Sequence, residues 1–100
     1  MKYCLVVRPE ADADLREIEA WYDRQQRGLG ARFVRATYDA IEGLLGNPLA
    51  HRVRHRRKQV RWIHPKTFPY RIIYRVVASA IVVYAVIHTA RHDREWTKRL

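Results

Sequence analysis

The stretch YRIIYRVVASAIVVYAVIH, residues 70–88, is dense in β-branched and aromatic residues. This composition favours β-structure, and its length suits two strands, Tyr70–Val77 and Ala80–His88. The connection between them, Ala78-Ser79, lacks an Asn-Gly type of turn sequence. The hairpin is therefore predicted from length and composition alone.

Upstream of this stretch, one short strand and two helices are predicted. Residues 3–7 are rich in β-formers and end at Arg8-Pro9, where proline suits the first turn of a helix. Two apolar series with steps of four, three and four residues then predict two helices: Ala11, Leu15, Ile18 and Tyr22, then Val34, Tyr38, Ile41 and Leu45. Gly46-Asn47-Pro48 is expected to end the second helix. Four aromatic residues match the helical spacing and are interpreted as core: Trp21, Tyr22, Phe33 and Tyr38.

The order of these elements predicts the fold class. Residues 59–63 alternate weakly and indicate a further strand before the hairpin, so the order is β-α-α-β-β-β. Two sequential helices followed by short strands indicate an α+β fold. We expect a helical hairpin packed on one face of a small, mainly antiparallel sheet. A chain of 100 residues suits one domain, residues 1–100.

The positive charge is concentrated in one half of the chain. The formal net charge is +10, and no acidic residue occurs between Gly43 and His92. Ten cations fall in that span, so the whole excess lies there: Arg52, Arg54, Arg56, Arg57, Lys58, Arg61, Lys66, Arg71, Arg75 and Arg91. This segregation favours an anionic partner, although a solvated, solubilising surface is the simpler alternative.

Composition excludes several classes of protein. The longest apolar run, residues 80–87, is too short to span a membrane, and we find no secretory signal. The single cysteine, Cys4, lies in an apolar run and is expected to be a buried thiol, which fits a cytoplasmic protein. His51 and His55, or His88 and His92, have the spacing of helical metal ligands, but neither pair lies in a predicted helix. No metal and no cofactor are predicted.

Strand alternation gives the arginines a common face. In the strand Tyr70–Val77, Arg71 and Arg75 lie on the face opposite Tyr70, Ile72, Tyr74 and Val76. If the latter face meets the helices, the two arginines project from a helix-free surface. Arg61 could join that surface from the preceding strand, and Arg91 follows the last strand. Guanidinium groups suit phosphate because they offer planar, paired donors.

These residues resemble a known family. The strand FPYRIIYRV, the later IVVYAVIHTARHDREW and the two-helix segment WYDRQQRGLGARFVRATYDAIEGLLGNP are similar to the RelE/ParE superfamily of type II toxin–antitoxin toxins. The resemblance covers nearly the whole chain. It implies a small toxin that inhibits growth when it is free of its cognate antitoxin, with which it forms a hetero-oligomer.

The superfamily contains two activities, and the resemblance leaves both open. RelE-like members cleave mRNA on the ribosome, and Arg71 and Arg91 match two of their arginines. This chain lacks counterparts of their closely spaced lysines and has Trp96 near the place of their C-terminal tyrosine. His88 and His92 are then the candidates for proton transfer, or they are structural residues at a strand end. ParE-like members instead poison DNA gyrase without hydrolytic chemistry.

The missing tyrosine and the helical segment favour the ParE-like activity. The ribosome-dependent nuclease is the alternative, and a non-toxic nucleic-acid-binding module is the third hypothesis. Under each of them the remaining cations are predicted to bind nucleic acid or an acidic antitoxin segment: Arg52, Arg54, Arg56, Arg57, Lys58, Arg61 and Arg75.

Overall fold

The structure, a computed structural model, describes residues 2–100. Its elements are β1 (Cys4–Val7), α1 (Pro9–Gln25), α2 (Leu29–Gly43), β2 (Val53–His55), β3 (Val60–Ile63), β4 (Tyr70–Val77), β5 (Ala80–His88) and α3 (Arg94–Thr97). The hairpin strands β4 and β5 have the predicted bounds. Strand β2 and helix α3 were not predicted, and α2 ends at Gly43 in tight turns, because Leu44 and Leu45 donate to carbonyls three residues back.

The strands form one sheet in the order β1-β5-β4-β3-β2. Strand β1 pairs parallel with β5, and the other three pairings are antiparallel. Ala11 of α1 and Ile41 of α2 pack in one cluster with sheet residues Ile72, Tyr74 and Ile81. The predicted α+β fold, a helical hairpin on one face of a mainly antiparallel sheet, is therefore confirmed.

A β-bulge at Tyr84 changes the side to which β5 residues point. Tyr74 pairs with Val83, whereas Ile73 pairs with Ala85, so Tyr84 is the extra residue. Before the bulge, Ile81 and Val83 pack towards the helices. After it, Ala85 and Ile87 belong to a cluster on the opposite face. One continuous apolar strand thus contributes to two cores.

The helix-bearing face is closed by aromatic packing. Phe33 is fully buried and lies 5.5 Å from Tyr22 and 5.2 Å from both Phe68 and Tyr70, measured between ring centroids. Tyr38 also packs against this core, so the prediction for Tyr22, Phe33 and Tyr38 is confirmed. The prediction for Trp21 was wrong, since 48% of its surface is exposed. Trp21 precedes Tyr22 on α1, and adjacent helical positions do not share a face.

The second core lies on the opposite face of the sheet. Val60, Ile73, Ala85 and Ile87 are covered by Trp96 of α3, of which only 2% is exposed. The prediction that this face carries no helix was therefore wrong over this area. The four-residue helix α3 was not predicted because it is too short to show an apolar period.

Strand β1 leaves its cysteine outside. Leu5 and Val7 pair with Ile81 and Val83 and pack against the helix-side core. Alternation then turns Cys4 to the other face, where it is exposed. The predicted buried thiol was wrong because a hydrophobic run on an edge strand buries only one of its two faces.

The helical hairpin depends on the close approach of the α1 backbone to Gly30 of α2. A β-carbon built there would lie 2.4 Å from the Glu19 carbonyl oxygen, so no larger residue fits without a shift of the helices. Asp23 accepts a hydrogen bond of 2.8 Å from the Gly30 backbone N–H. These contacts hold the start of α2 against α1, and α1 in turn packs on β5.

An ion pair between α1 and the residues after α3 bonds to the edge of β5 beyond the point where β1 ends. Arg99 donates to both oxygens of Asp14, at 2.7 and 3.1 Å, and its side chain also reaches the Tyr84 carbonyl at 3.2 Å. Asp14 accepts the Val86 backbone N–H at 2.9 Å. The ion pair therefore satisfies backbone polar groups in the part of β5 that does not pair with β1. It connects α1 and β5 to the residues after α3. We call it the Asp14–Arg99 latch.

The latch predicts a stability effect from one side chain near the chain end. Arg99→Ala leaves the mostly buried Asp14 without its cation, and we expect a loss of about 1.5–3 kcal/mol in the free energy of unfolding. Urea denaturation followed by circular dichroism measures it. The matched control is Lys98→Ala, because Lys98 is exposed and adjacent. Equal stability of the two variants would show that the latch does not contribute.

Candidate functional site

The cations of residues 52–58 lie on a two-stranded ribbon at the sheet edge. Strand β2 pairs with β3, and the exposed side chains are Arg52, Arg54, Arg56, Arg57 and Lys58. Local hydrogen bonds fix the turn, since Lys58 N–H donates to His55 Nδ1 at 3.2 Å and the Gln59 amide donates to the Arg56 carbonyl at 2.7 Å. Within residues 2–100, none of the ion pairs involves these five cations. We call residues 52–58 with β3 the basic ribbon.

Arg61 lies on the other side from Arg71, contrary to expectation. It pairs with Tyr74, whose side chain packs in the helix-side core. Its Nε donates to the His51 carbonyl at 2.8 Å, which anchors the chain before β2. The expectation failed because the registry of β3 against β4 is not readable from a weakly alternating segment.

Trp62 takes the place expected for Arg61. It pairs with Ile73 and shares the face of Arg71. The guanidinium carbons of Arg71 and Arg54 lie 4.5 and 5.0 Å from its ring centroid. Arg71 also forms an ion pair of 3.0 Å with Asp93, just before α3. Arg71 is therefore held by an aromatic face and a carboxylate, and only 23% of its side chain is exposed.

Arg75 shares the face of Arg71, as predicted, but lies in a separate environment. It pairs with Val82 and approaches the Tyr84 ring, with its guanidinium carbon 6.0 Å from the ring centroid. Its Nε is buried without a hydrogen-bond partner in the described chain. Arg8 approaches the same ring at 5.9 Å. The guanidinium groups of Arg8 and Arg75 therefore both lie near the ring of Tyr84, the extra residue of the bulge, on the face of the sheet opposite the helices.

A cleft of about 590 Å³ lies between α1, the ends of β4 and β5, and α3. Ile18 and Trp21 lie on its α1 side together with the carboxylates of Asp14 and Glu17. Tyr70, His88 and Arg91 lie across from them. The rings of Tyr70 and His88 are 5.2 Å apart between centroids. The cleft therefore combines apolar side chains with carboxylates and with groups that can donate protons or bind an anion.

The tyrosine of this cleft holds its proton strongly. Burial raises the pKa of Tyr70 from 10 to about 12, and the neighbouring Tyr22 adds to the shift, while the charge of Arg91 opposes it. Tyr70 is therefore a weaker acid than an unperturbed tyrosine and stays a neutral phenol at neutral pH. The sequence analysis did not select Tyr70 as a functional residue.

The two candidate histidines already hold local turns. His88 Nδ1 accepts the Ala90 backbone N–H at 3.0 Å, and His92 Nδ1 accepts the Arg94 backbone N–H at 3.2 Å. Only Nε2 of each ring is left for another partner. His88 lines the cleft, whereas His92 is exposed at the start of α3 and is not one of the cleft residues.

The predicted catalytic residues therefore do not all line one cleft. His88 and Arg91 share the cleft with Tyr70. Arg71 projects from the opposite face of the sheet towards Trp62 and Asp93. His92 belongs to the turn that leads into α3.

Metal-binding clusters and membrane-spanning helices are both absent from residues 2–100. No three His, Cys, Asp or Glu side chains lie close enough together there to hold a metal ion. In the same residues, no helix is both long and apolar enough to cross a bilayer.

Comparison with protein families identifies the chain. The family described as "ParE toxin of type II toxin-antitoxin system, parDE" matches residues 5–93. The chain belongs to this ParE toxin family. The match runs from Leu5 in β1 to Asp93 before α3, and so includes the basic ribbon and the cleft residues other than Glu95 and Arg99. A search of curated proteins gave no significant match.

Solved structures give the same fold. A chain of the chromosomal ParDE system from P. aeruginosa is 20% identical, with a TM-score of 0.76, over 87% of this chain and 96% of that one. A mutant of the E. coli toxin RelE in the free state is also 20% identical, with a TM-score of 0.74, over 100% and 99% of the two chains. At this identity the likeness concerns the fold, and the two TM-scores do not separate the activities. The resemblance to the RelE/ParE superfamily is confirmed, and membership in a toxin–antitoxin family implies an antitoxin partner.

The buried tyrosines of this ParE-family protein predict its behaviour at high pH. Burial raises the pKa of Tyr74 from 10 to about 12, as it does for Tyr70, although the Arg61 charge opposes the shift. The Tyr74 hydroxyl donates to the Pro48 carbonyl at 2.7 Å. In the unfolded chain both phenols lose their protons near pH 10, so the unfolded state binds fewer protons between pH 10 and 12. Stability is then unaffected below pH 10 and falls as the pH rises to about 12.

Urea denaturation at a series of pH values, combined with ultraviolet titration of phenolate absorbance, tests this pH dependence. The double variant Tyr70→Phe/Tyr74→Phe should show a smaller loss of stability across the same interval. Tyr3→Phe is the matched control, because Tyr3 lies at the sheet edge before β1. An unchanged alkaline slope in the double variant would contradict the assignment.

Proposed function

We propose that the free toxin inhibits growth by binding and poisoning DNA gyrase, with no chemical step of its own. The observation that carries this proposal is the separation of the four candidate catalytic residues. Phosphodiester cleavage through a 2′-hydroxyl needs a base, an acid and stabilisation of a charged phosphorane around one phosphate. Arg71 projects from the face of the sheet opposite His88 and does not line the cleft that His88 and Arg91 share, which argues against a single phosphate site for the three residues.

Trp96 adds support to the non-enzymatic proposal. It stands near the place of the C-terminal tyrosine of RelE-like nucleases, and its indole cannot exchange a proton near neutral pH. It is also 98% buried, as cover for the second core. This position therefore serves packing, and membership in the ParE family agrees with a binding mechanism.

A gyrase reaction beside a translation reaction tests the proposal. Purified toxin should block supercoiling and accumulate cleaved DNA in the presence of gyrase, and mRNA from a coupled translation reaction should stay intact. His88→Asn and His92→Asn should retain the gyrase effect within about twofold, because the asparagine oxygen can still accept the backbone N–H that Nδ1 accepts. Site-specific mRNA cuts, or activity in neither reaction, would overturn the proposal.

The second candidate function is ribosome-dependent mRNA cleavage, and one observation favours it. Tyr70, His88 and Arg91 line one cleft and supply a neutral proton donor, an imidazole and a cation. In that case Tyr70→Phe or His88→Asn should lower the cleavage rate on the order of a hundredfold. His92→Asn is the matched control, since His92 lies outside the cleft.

We further propose that a cognate antitoxin binds this toxin in a hetero-oligomer and suppresses its activity. Exposed Trp21, which lines the cleft beside Ile18, is a surface suited to an apolar partner segment.

Expression of the lone chain should therefore arrest growth, and co-expression of the short open reading frame encoded beside it should restore growth. Plating efficiency after induction measures both effects. The control is the Gly30→Leu variant, which should fail to fold because of the close contact with Glu19. Unimpaired growth with soluble, folded wild-type chain would contradict the toxin activity.

A further inference from the structure

The basic ribbon places five exposed cations within residues 52–58. The acidic residues lie elsewhere, on α1, α2 and the segment around α3. Neighbouring like charges repel one another, and in the described chain these five cations have no acidic ion-pair partner. An anion with closely spaced charges would relieve that repulsion.

We infer that the basic ribbon binds the phosphate backbone of duplex DNA, without sequence preference. This binding belongs to the toxin alone and does not require gyrase or an antitoxin. Three features of the ribbon favour duplex DNA: its shape, the contacts of its aromatic residue and the absence of apolar anchors in its exposed part.

The shape suits a DNA groove. The major groove of B-DNA is about 12 Å wide and admits a two-stranded β-ribbon. The three residues of β2, Val53–His55, cover roughly 7 Å at the usual rise of a strand, and Arg52 and Arg56 extend the ribbon at its two ends. Arginines along β2 and at its turn can therefore reach phosphates on both sides of the groove. Such contacts fix position but read no sequence.

The aromatic residue of the ribbon is not free for base stacking. Single-stranded nucleic acid is bound largely by bases that stack on aromatic side chains. The Trp62 ring is already in contact with two guanidinium groups: the guanidinium carbons of Arg54 and Arg71 lie 5.0 and 4.5 Å from its centroid. Trp96 below it is 98% buried. The ribbon therefore favours the charged backbone of a duplex over unpaired bases.

The ribbon also lacks the anchors that a peptide partner requires. Binding energy at protein interfaces comes mainly from a few buried, largely aromatic contacts. The exposed large apolar side chains of the described chain all lie outside residues 52–63: Val6, Trp21, Leu45, Leu49 and Val77. An acidic peptide would gain only screened charge pairs on the ribbon.

Binding of duplex DNA by the ribbon would also affect how the toxin binds its proposed target, gyrase. Gyrase acts on duplex DNA, so the ribbon would give the toxin a second contact in a gyrase–DNA complex. That consequence rests on the proposed function, whereas DNA binding by the free toxin does not. The test therefore contains no gyrase, and its failure would leave the gyrase proposal unchanged.

Fluorescence anisotropy with a short mixed-sequence DNA duplex tests the inference at several salt concentrations. If five phosphates are neutralised, the logarithm of the binding constant should fall against the logarithm of salt concentration with a slope of about −4 to −5. Arg56→Gln/Arg57→Gln/Lys58→Gln should reduce the steepness by about 2 to 3 and weaken binding at least about tenfold. The ribbon turn should survive, because its hydrogen bonds use the backbone N–H of Lys58 and the backbone carbonyl of Arg56 and no side chain of the three residues.

The matched control removes three exposed cations from the helical hairpin, Arg24→Gln/Arg27→Gln/Arg35→Gln, and lowers the net charge equally. It should keep the salt slope and the affinity within about twofold. Equal losses in both triple variants would overturn the inference, since binding would then follow net charge alone. Tighter binding of polyglutamate or of single-stranded RNA than of the duplex, at equal charge, would also overturn it. Circular dichroism confirms that each variant is folded.

Discussion

The extra residue at Tyr84 in β5 is the constraint on which the arrangement of this molecule depends. Without it, the two-residue connection after Val77 would pair Tyr70 with Ile87 and turn His88 away from the helices. With it, Tyr70 pairs with His88, and both face the cleft. The same shift turns Ala85 and Ile87 to the opposite face, where they form the second core under Trp96. One inserted residue therefore decides which side chains line the cleft. It also creates the apolar surface that Trp96 of α3 covers.

The short length of β1 explains why α1 and the residues after α3 both contact β5. Strand β1 stops at Val7, beside Val83, so the edge of β5 beyond it has unpaired polar groups. Asp14 and Arg99 satisfy two of them, at Val86 and Tyr84. The cleft is lined by both members of this ion pair. The geometry of the candidate site thus depends on a contact between residues 85 positions apart in the chain.

The two charged regions of the molecule have different physical character. At the second core, Arg71 is fixed between Trp62 and Asp93, so its charge serves the attachment of α3 as well as the surface. On the basic ribbon, Arg56, Arg57 and Lys58 have no such partners in the described chain and project into water. A cation that is already paired offers less to a ligand than a free one does. The free cations of the ribbon are therefore the stronger basis for contact with an anionic polymer.

The sequence by itself determined the types of six of the eight elements, the α+β class, the hairpin bounds and the segregation of charge, because local periodicity and composition encode them. The family resemblance also followed from short motifs in a fixed order. Only the tertiary structure decided which residues meet. Arg61 and Arg71 were expected on one face, yet strand registry separates them, and Cys4 is exposed because an edge strand buries only one face. Bulges, registry and contacts such as Asp14 with Arg99 arise from the packing of distant segments, and no local pattern records them.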